Sequence, residues 1–226
     1  MLLSIRKLTA CADKKEILRG VDLEIGEGET HVLTGRNGSG KSTLLNAIMR
    51  EPRLKVDGKV EFDGKDISKL STERIAAAGI FLGAQAAPAI EGLSYSTLLK
   101  HSANALRRAR GEKELTAPEF FKLAKEYCEL LGIPEGWLAR SVGEGFSGGE
   151  KKRLQMLLML FFVPKLAMLD EPDSGVDMEA IEVIAKAVNH LAKQGVSFLI
   201  VSHYDRFIKL IEPDKTHVMK EGRIDA

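Results

Sequence analysis

The chain has 226 residues, of which 44% are hydrophobic and 29% are charged, and its formal net charge at pH 7 is +1. A chain of this length can bury a large hydrophobic core without disulfides or a structural metal. The composition excludes disordered and fibrous proteins. The near-neutral charge indicates neither a nucleic-acid-binding stripe nor a polybasic membrane anchor, so we expect no nucleic-acid partner.

Two features favour a cytoplasmic protein without direct membrane insertion. The two cysteines, Cys11 and Cys128, lie far apart and match neither a metal-ligand spacing nor a disulfide framework. The first residues lack the pattern of a signal peptide, and no apolar stretch approaches the ~20 residues that a membrane helix needs. We therefore expect any membrane role to require a partner.

The first third of the chain alternates short β-branched runs with turn signals, which predicts a strand-rich region. The predicted strands are 2–7, 17–25, 30–35, 59–62, 65–67 and 80–82. A glycine-rich loop precedes a predicted helix over 41–50, and a second helix over 72–78 is predicted to end at Gly79. Asp63 and Gly64 predict a hairpin turn between two of the strands.

From residue 86 the pattern changes to amphipathic helices over 94–110 and 117–131. Thr116 and Glu119 fit a capping box, and Gly132 supplies the stop signal. After a glycine-rich link over 143–145, strands and helices alternate again. The elements predicted there are a helix over 148–162, a strand over 166–170, a helix over 177–193 and a strand over 196–201. This alternation predicts a parallel sheet with helices on both faces.

Residues 35–42 match the pattern G-x-x-x-x-G-K-[ST] between a predicted strand and a predicted helix, as a phosphate-binding P-loop requires. Its glycines let backbone amides wrap a phosphate, while Lys41 reaches the β- and γ-phosphates and Ser42 binds Mg²⁺. The alternative is a purely structural glycine-rich turn. The pattern would occur by chance somewhere in a chain of this length with a probability on the order of one per cent. The predicted nucleotide-binding residues are Gly35, Arg36, Asn37, Gly38, Ser39, Gly40, Lys41, Ser42 and Thr43.

Two carboxylates follow the apolar strand predicted over 166–170. Asp170 and Glu171 fall at the carboxyl edge of the sheet, where α/β proteins bind ligands. This pattern resembles a Walker B motif, in which Asp170 would hold the Mg²⁺ shell and Glu171 would polarise the attacking water as general base. An acidic pair alone is more often a solvated strand end or helix start. The presence of a P-loop in the same chain favours the functional interpretation instead.

A second glycine-rich helix start lies at 146–150, although a nucleotide site within one subunit does not need one. A serine-capped helix after a linker is the plain alternative. The segment resembles the signature motif of ABC ATPases. In that family the signature completes a site on another subunit, which implies that Ser147, Gly148 and Gly149 contact ATP held by the P-loop of a second copy.

The order of motifs resembles that of ABC ATPases over nearly the whole chain. The resemblance implies that Gln85 senses Mg²⁺ and the γ-phosphate and that His203 holds the catalytic water arrangement. On its own, a loop glutamine is usually polar surface and a histidine after a strand is usually a polar cap. Asp177 would belong to a loop that crosses to the partner subunit, although it equally fits a helix N-cap. The basic run at 151–153 is predicted to be a solvated helix face without chemistry.

The resemblance implies an α/β P-loop NTPase fold with a RecA-like core, an N-terminal antiparallel β-subdomain and an inserted helical subdomain. The core would comprise 1–85 and 146–226, and the helical subdomain 86–145. The implied cofactors are ATP and Mg²⁺, and the implied assembly is an ATP-dependent homodimer. One departure concerns adenine, since many ABC domains stack this base on an aromatic residue at a position near 11–13, where this sequence has none.

Within the ABC ATPases, several segments resemble the SufC group, the ATPase subunits of Suf iron-sulfur cluster assembly. These segments are 79–82 with Gln85, 90–94, 146–153, 173–175, 202–206, 212–214 and 217–218. The resemblance implies SufB-like and SufD-like scaffold partners, whose conformation the ATPase would change. Two alternatives stay open: an ABC importer subunit coupled to a membrane permease, and a non-hydrolysing, nucleotide-gated adaptor.

Overall fold

The computed structural model describes residues 1–85, 89–143 and 145–225, which form an α/β fold. Its strands are β1 (Leu3–Ala12), β2 (Lys15–Ile25), β3 (Thr30–Thr34), β4 (Lys55–Phe62), β5 (Lys65–Asp66), β6 (Ile80–Gly83), β7 (Ile90–Ser94), β8 (Ser141–Val142), β9 (Leu166–Asp170), β10 (Ser197–Val201), β11 (Lys215–Lys220) and β12 (Arg223–Asp225). Its α-helices are α1 (Lys41–Ile48), α2 (Thr72–Ala78), α3 (Tyr95–Ala109), α4 (Ala117–Leu131), α5 (Gly148–Phe162), α6 (Met178–Ala192) and α7 (Asp205–Ile211). A 3₁₀ turn spans Glu135–Ala139.

The central sheet has the strand order β12-β11-β3-β10-β9-β6, and its first five strands in chain order, β3, β6, β9, β10 and β11, are parallel. Its inner strands are continuous apolar runs because helices cover both faces of a parallel sheet. Every residue of β9 and β10 is buried. Parallel strands end at one edge, so the segments that follow β3, β6, β9 and β10 meet there.

A second sheet of order β2-β1-β4-β5 is antiparallel and packs over α1. Its inward residues share one hydrophobic cluster with Leu44, Leu45 and Ile48 of α1. The helix that follows the P-loop is therefore held between two sheets. This arrangement confirms the predicted α/β fold class, with an antiparallel sheet formed by the first part of the chain.

The helices between β7 and β8 begin and end where their capping residues predict. Ser94 caps α3, and Thr116 and Glu119 form both hydrogen bonds of a capping box at the start of α4. Gly132, in the left-handed conformation, ends α4. The predicted first residue of the insert, Ala86, and Glu144 of its glycine-rich link lie outside the described residues, and the division into subdomains stays a prediction.

Several features of the described residues were not predicted from the sequence. The β7–β8 ribbon is short and mostly exposed, and Gly92 interrupts its apolar pattern. The first strand runs on to Ala12 because Lys7, with φ of 49°, forms a bulge opposite Gly58, where a Cβ would lie 2.6 Å from the Lys7 carbonyl oxygen. The helix α7 and the hairpin of β11 and β12 also lacked a prediction.

Candidate active site

A cavity of about 670 Å³ opens at the carboxyl edge of the central sheet. The P-loop between β3 and α1 forms its floor, and parts of β2, the end of β6, the residue after β9 and the β11–β12 turn complete the wall. The lining residues are Lys15, Glu16, Ile17, Arg19, Asn37, Gly38, Gly40, Lys41, Ser42, Thr43, Gln85, Glu171, Glu221 and Gly222.

The P-loop has the geometry of a phosphate cradle. Gly35 has φ of 140°, and a Cβ there would lie 2.3 Å from the Met219 carbonyl oxygen, so only glycine fits between the loop and β11. Lys41 is 5% exposed, and its ammonium donates to the carbonyl oxygens of Gly35 at 2.8 Å and Arg36 at 3.2 Å. An ammonium carries three donors, so one remains for a phosphate oxygen. The buried Ser39 hydroxyl has no partner among the described residues.

The structure brings together Ser42 and Asp170, two of the residues predicted to bind Mg²⁺. The Ser42 hydroxyl donates to Asp170 Oδ1 at 3.0 Å. Burial raises the pKa of Asp170, and the hydrogen bond from Ser42 opposes this rise. A hydroxyl and a carboxylate are the hard oxygen ligands that Mg²⁺ prefers, and phosphate oxygens and water would complete its shell.

The structure brings Gln85 and Glu171 together, although they are far apart in the sequence. Gln85 Nε2 donates to Glu171 Oε2 at 3.1 Å. The contact follows from pairing, because β6 and β9 are adjacent parallel strands and both residues come shortly after them. Glu171 has φ of 48°, and its amide donates to the Val201 carbonyl oxygen at 3.0 Å. The side chain of Glu171 is thereby turned toward the cavity.

The prediction that residues 151–153 form a solvated face is wrong for Lys152. Lys152 is 8% exposed, and its ammonium donates to the carbonyl oxygens of Glu171 at 3.1 Å and Gln85 at 3.5 Å. Burial lowers the pKa of Lys152, while the nearby carboxylates of Asp170, Asp173 and Glu171 raise it. Helical spacing contained the signal, since Lys152 lies three and four residues before the inward-facing side chains of Gln155 and Met156.

Asp173 and Ser202 form a second feature that the sequence did not reveal. The Ser202 hydroxyl donates to Asp173 Oδ2 at 2.7 Å in a fully buried contact, and it accepts from the Tyr204 amide at 3.1 Å. Burial raises the pKa of Asp173. The pair fixes the chain on both sides of the exposed His203 at the end of β10.

The signature residues are absent from the described lining of the cavity. Ser147 caps α5 in a capping box with Glu150, and a Cβ added to Gly148 would lie 3.8 Å from the Gly175 carbonyl oxygen. Asp177 accepts from the Ala180 amide as the N-cap of α6, as one of its two predicted roles required. His203 is likewise outside the described lining.

Comparison with known proteins identifies the family. The protein family described as ABC transporter matches residues 18–174. The chain belongs to the ABC transporter family. It is an ABC-type ATPase, and ATP-binding cassettes of this family bind ATP or ADP.

Relatives of the ABC family match nearly the full chain. The SufC protein of Escherichia coli K12 is 45% identical over 224 residues, which cover 99% of this chain and 90% of that relative. The ycf16 protein of Pyropia yezoensis is 42% identical over 99% of this chain and 89% of its own length. Vegetative protein 296 of Bacillus subtilis is 40% identical over 98% of this chain and 85% of its own length. The chain is thus similar to SufC.

Solved ABC cassettes share the fold. A nucleotide-free cassette from an ABC transporter superposes with a TM-score of 0.80 at 25% identity and covers 100% of this chain and 90% of that chain. A dimeric cassette bound to ADP and phosphate superposes with a TM-score of 0.85 at 21% identity and covers 100% and 97%. None of the helices in the described part of the chain has the length and apolarity that a membrane crossing requires.

The burial of Lys152 generates a stability prediction. In Lys152→Met the apolar stem is retained and the charge is lost, which leaves buried carboxylates without their counter-ion. We expect the free energy of unfolding in urea to fall by ~2–4 kcal/mol. Lys151→Met, at the exposed neighbouring position, should change it by no more than about 0.5 kcal/mol. Equal effects of the two substitutions would contradict the assigned role of Lys152.

Proposed function

We propose that this ABC ATPase is a Mg²⁺-dependent enzyme that hydrolyses ATP between two copies of the chain and drives a conformational change in SufB-like and SufD-like scaffold partners during iron-sulfur cluster assembly. The observation that supports hydrolysis most directly is the contact between Gln85 and Glu171 in the wall of the P-loop cavity. Similarity to SufC supports the choice of partners.

The residues of the cavity divide the chemistry among them. P-loop amides, the Ser39 hydroxyl and the Lys41 ammonium bind the phosphates. Ser42 and Asp170 would hold a Mg²⁺ ion, which would supply positive charge against the charge that develops on the γ-phosphate. Glu171 orients a water molecule in line with the γ-phosphate and accepts its proton, and Gln85 positions the Glu171 carboxylate. His203, at the end of the neighbouring strand β10, would contact the γ-phosphate in the closed dimer.

We place the active site between two copies of the chain. Within one copy, the signature residues at the start of α5 are not among the described residues that line the P-loop cavity. The start of α5 carries amide groups at Gly148 and Gly149, and the positive end of a helix macrodipole favours an anion. In a twofold dimer the same surface patch meets itself, so each signature faces the P-loop of the other copy. Ser147 would then complete the phosphate contacts, and Asp177 would lie beside the dimer contact.

A groove along the edge strand β6 supports the docking of a scaffold helix. It has a volume of about 560 Å³ and lies between α2, β6, α3 and the end of α5. Its apolar lining includes Phe81, Leu82 and Leu106, and Arg110 also lines it. Helices bind such grooves through apolar residues at positions i, i+3, i+4 and i+7. Because β6 continues into Gln85, a helix bound there touches the element that positions Glu171.

The role of Glu171 is tested by Glu171→Gln. We expect ATP hydrolysis, measured as phosphate release, to fall by ~10²–10⁴-fold, the usual contribution of a general base. Binding of ATP should be retained, and ATP-bound dimers should accumulate in size-exclusion chromatography. Glu126→Gln, on the exposed face of α4, serves as the control. Unchanged turnover in Glu171→Gln would remove the assignment and favour the non-hydrolysing adaptor.

The divided site predicts complementation between two inactive variants. Lys41→Ala disables the P-loop, and Gly148→Asp places a carboxylate where the signature meets a phosphate. An equal mixture forms dimers with one intact composite site, so we expect about a quarter of the wild-type rate from random pairing. Each variant alone should be inactive in the same assay. Full activity of Gly148→Asp alone would show that one copy suffices.

The partner assignment predicts selective loss of scaffold binding. Ala105 is exposed in the groove, and in Ala105→Arg a long cation would block an apolar helix. We expect the wild-type chain and the control Ala117→Arg to co-purify with a co-expressed SufB-like and SufD-like pair. The affinity of Ala105→Arg for that pair should be at least about tenfold lower, which is equivalent to ~1.4 kcal/mol of binding free energy. A membrane permease recovered from detergent extracts in place of the pair would favour the importer.

A further inference from the structure

The nucleotide cavity has a wall of charged side chains beyond the P-loop. This wall consists of the first part of β2 and the turn between β11 and β12, and its residues are Lys15, Glu16, Ile17, Arg19, Glu221 and Gly222. Among the described residues that line the cavity, none is aromatic. With the phosphates in the P-loop and the γ-phosphate toward Gln85 and Glu171, this wall is the surface left for the nucleoside.

Backbone hydrogen bonds fix the wall relative to the P-loop. The Gly222 amide donates to the Ser39 carbonyl oxygen at 2.9 Å, and the Arg19 amide donates to the Gly222 carbonyl oxygen at 2.9 Å. Gly222 has φ of 80°, and a Cβ there would lie 2.0 Å from the Ile17 carbonyl oxygen. Arg19 therefore stands at a set distance from the phosphate cradle, on a backbone that glycine alone allows to approach so closely.

We infer that the Arg19 guanidinium is the surface on which the nucleobase stacks and that carboxylates of Glu16 and Glu221 accept hydrogen bonds from its edge, so that the site takes guanine as well as adenine nucleotides. A guanidinium is planar and stacks on aromatic rings, which makes Arg19 the planar side chain of the wall. Carboxylates only accept hydrogen bonds. The amino group of adenine offers them donors, and the N1–H and amino groups of guanine offer two in parallel.

Exposure of this wall explains why the two purines are distinguished weakly. The side chains of Arg19 and Glu16 are 47% and 53% exposed, and their charged atoms lie 3.9 Å apart. A strong preference for one base requires buried polar groups that the wrong base leaves unpaired. At a half-exposed wall, water replaces each missing hydrogen bond, and little discrimination remains.

The test uses binding of fluorescent ATP and GTP analogues to the full chain with Mg²⁺, together with competition by the unlabelled nucleotides. We expect Kd values for ATP and GTP that agree within about threefold. Arg19→Ala should weaken both by about fivefold, the equivalent of a ~1 kcal/mol stacking contact. Arg19→Lys keeps the charge but loses the planar face, so its binding of both nucleotides should be weakened as well. Arg53→Ala, whose side chain is 88% exposed outside the cavity, is the control and should bind as wild type.

Two results would overturn the inference. One is a preference for ATP over GTP above about 30-fold in the wild-type chain. The other is wild-type affinity in Arg19→Ala or Arg19→Lys. The inference rests on the proposed phosphate site, which Lys41→Ala tests separately. Loss of both nucleotides in Lys41→Ala with unchanged binding in Arg19→Ala refutes the stacking role alone, whereas retained binding in Lys41→Ala refutes the phosphate placement.

Discussion

Burial of two carboxylates beside a third at the end of β9 is the constraint on which the site depends. Asp170 and Asp173 are buried, and burial raises the pKa of each. Glu171 stands between them in the sequence and adds like charge. Lys152 enters this cluster from α5 and offsets the repulsion, while its ammonium is held by two backbone carbonyl groups. A buried cation that balances several anions fixes the helix that carries it.

The same charge balance therefore positions the signature. Lys152 lies within the first turns of α5, whose N-cap is Ser147. Anchoring this helix to the end of β9 holds the signature at a set place on the surface, away from the cavity of its own copy. Within the group of Lys41, Lys152, Asp170, Glu171 and Asp173, the carboxylates outnumber the ammonium groups by one when all five are ionised. A divalent cation is the natural means of adding phosphates there.

Local signals predicted much of the fold, and non-local contacts account for what was missed. The bounds of α4 and α5 could be predicted because Thr116, Ser147 and Gly132 act within one helical turn. The bulge at Lys7 could not, since it depends on a glycine in the paired strand. The P-loop and the acidic pair after β9 could be recognised from residue type and spacing alone. Lys152 was missed because its role depends on three carboxylates supplied by another strand and loop.

The strand β6 connects the apolar groove, the proposed partner surface, with the proposed catalytic residues. Its residues Phe81 and Leu82 line the apolar groove, and Gln85, shortly after it, donates to Glu171. Gln155 of α5 also holds this segment, since its amide donates to the Ala84 carbonyl oxygen at 2.7 Å. A partner helix bound in the groove could shift the end of β6 by a fraction of a hydrogen-bond length. Such a shift would change the orientation of the Glu171 carboxylate, the proposed general base. Packed elements shift between discrete arrangements rather than deforming continuously. Coupling between the groove and the active site therefore requires that the end of β6 has two alternative positions.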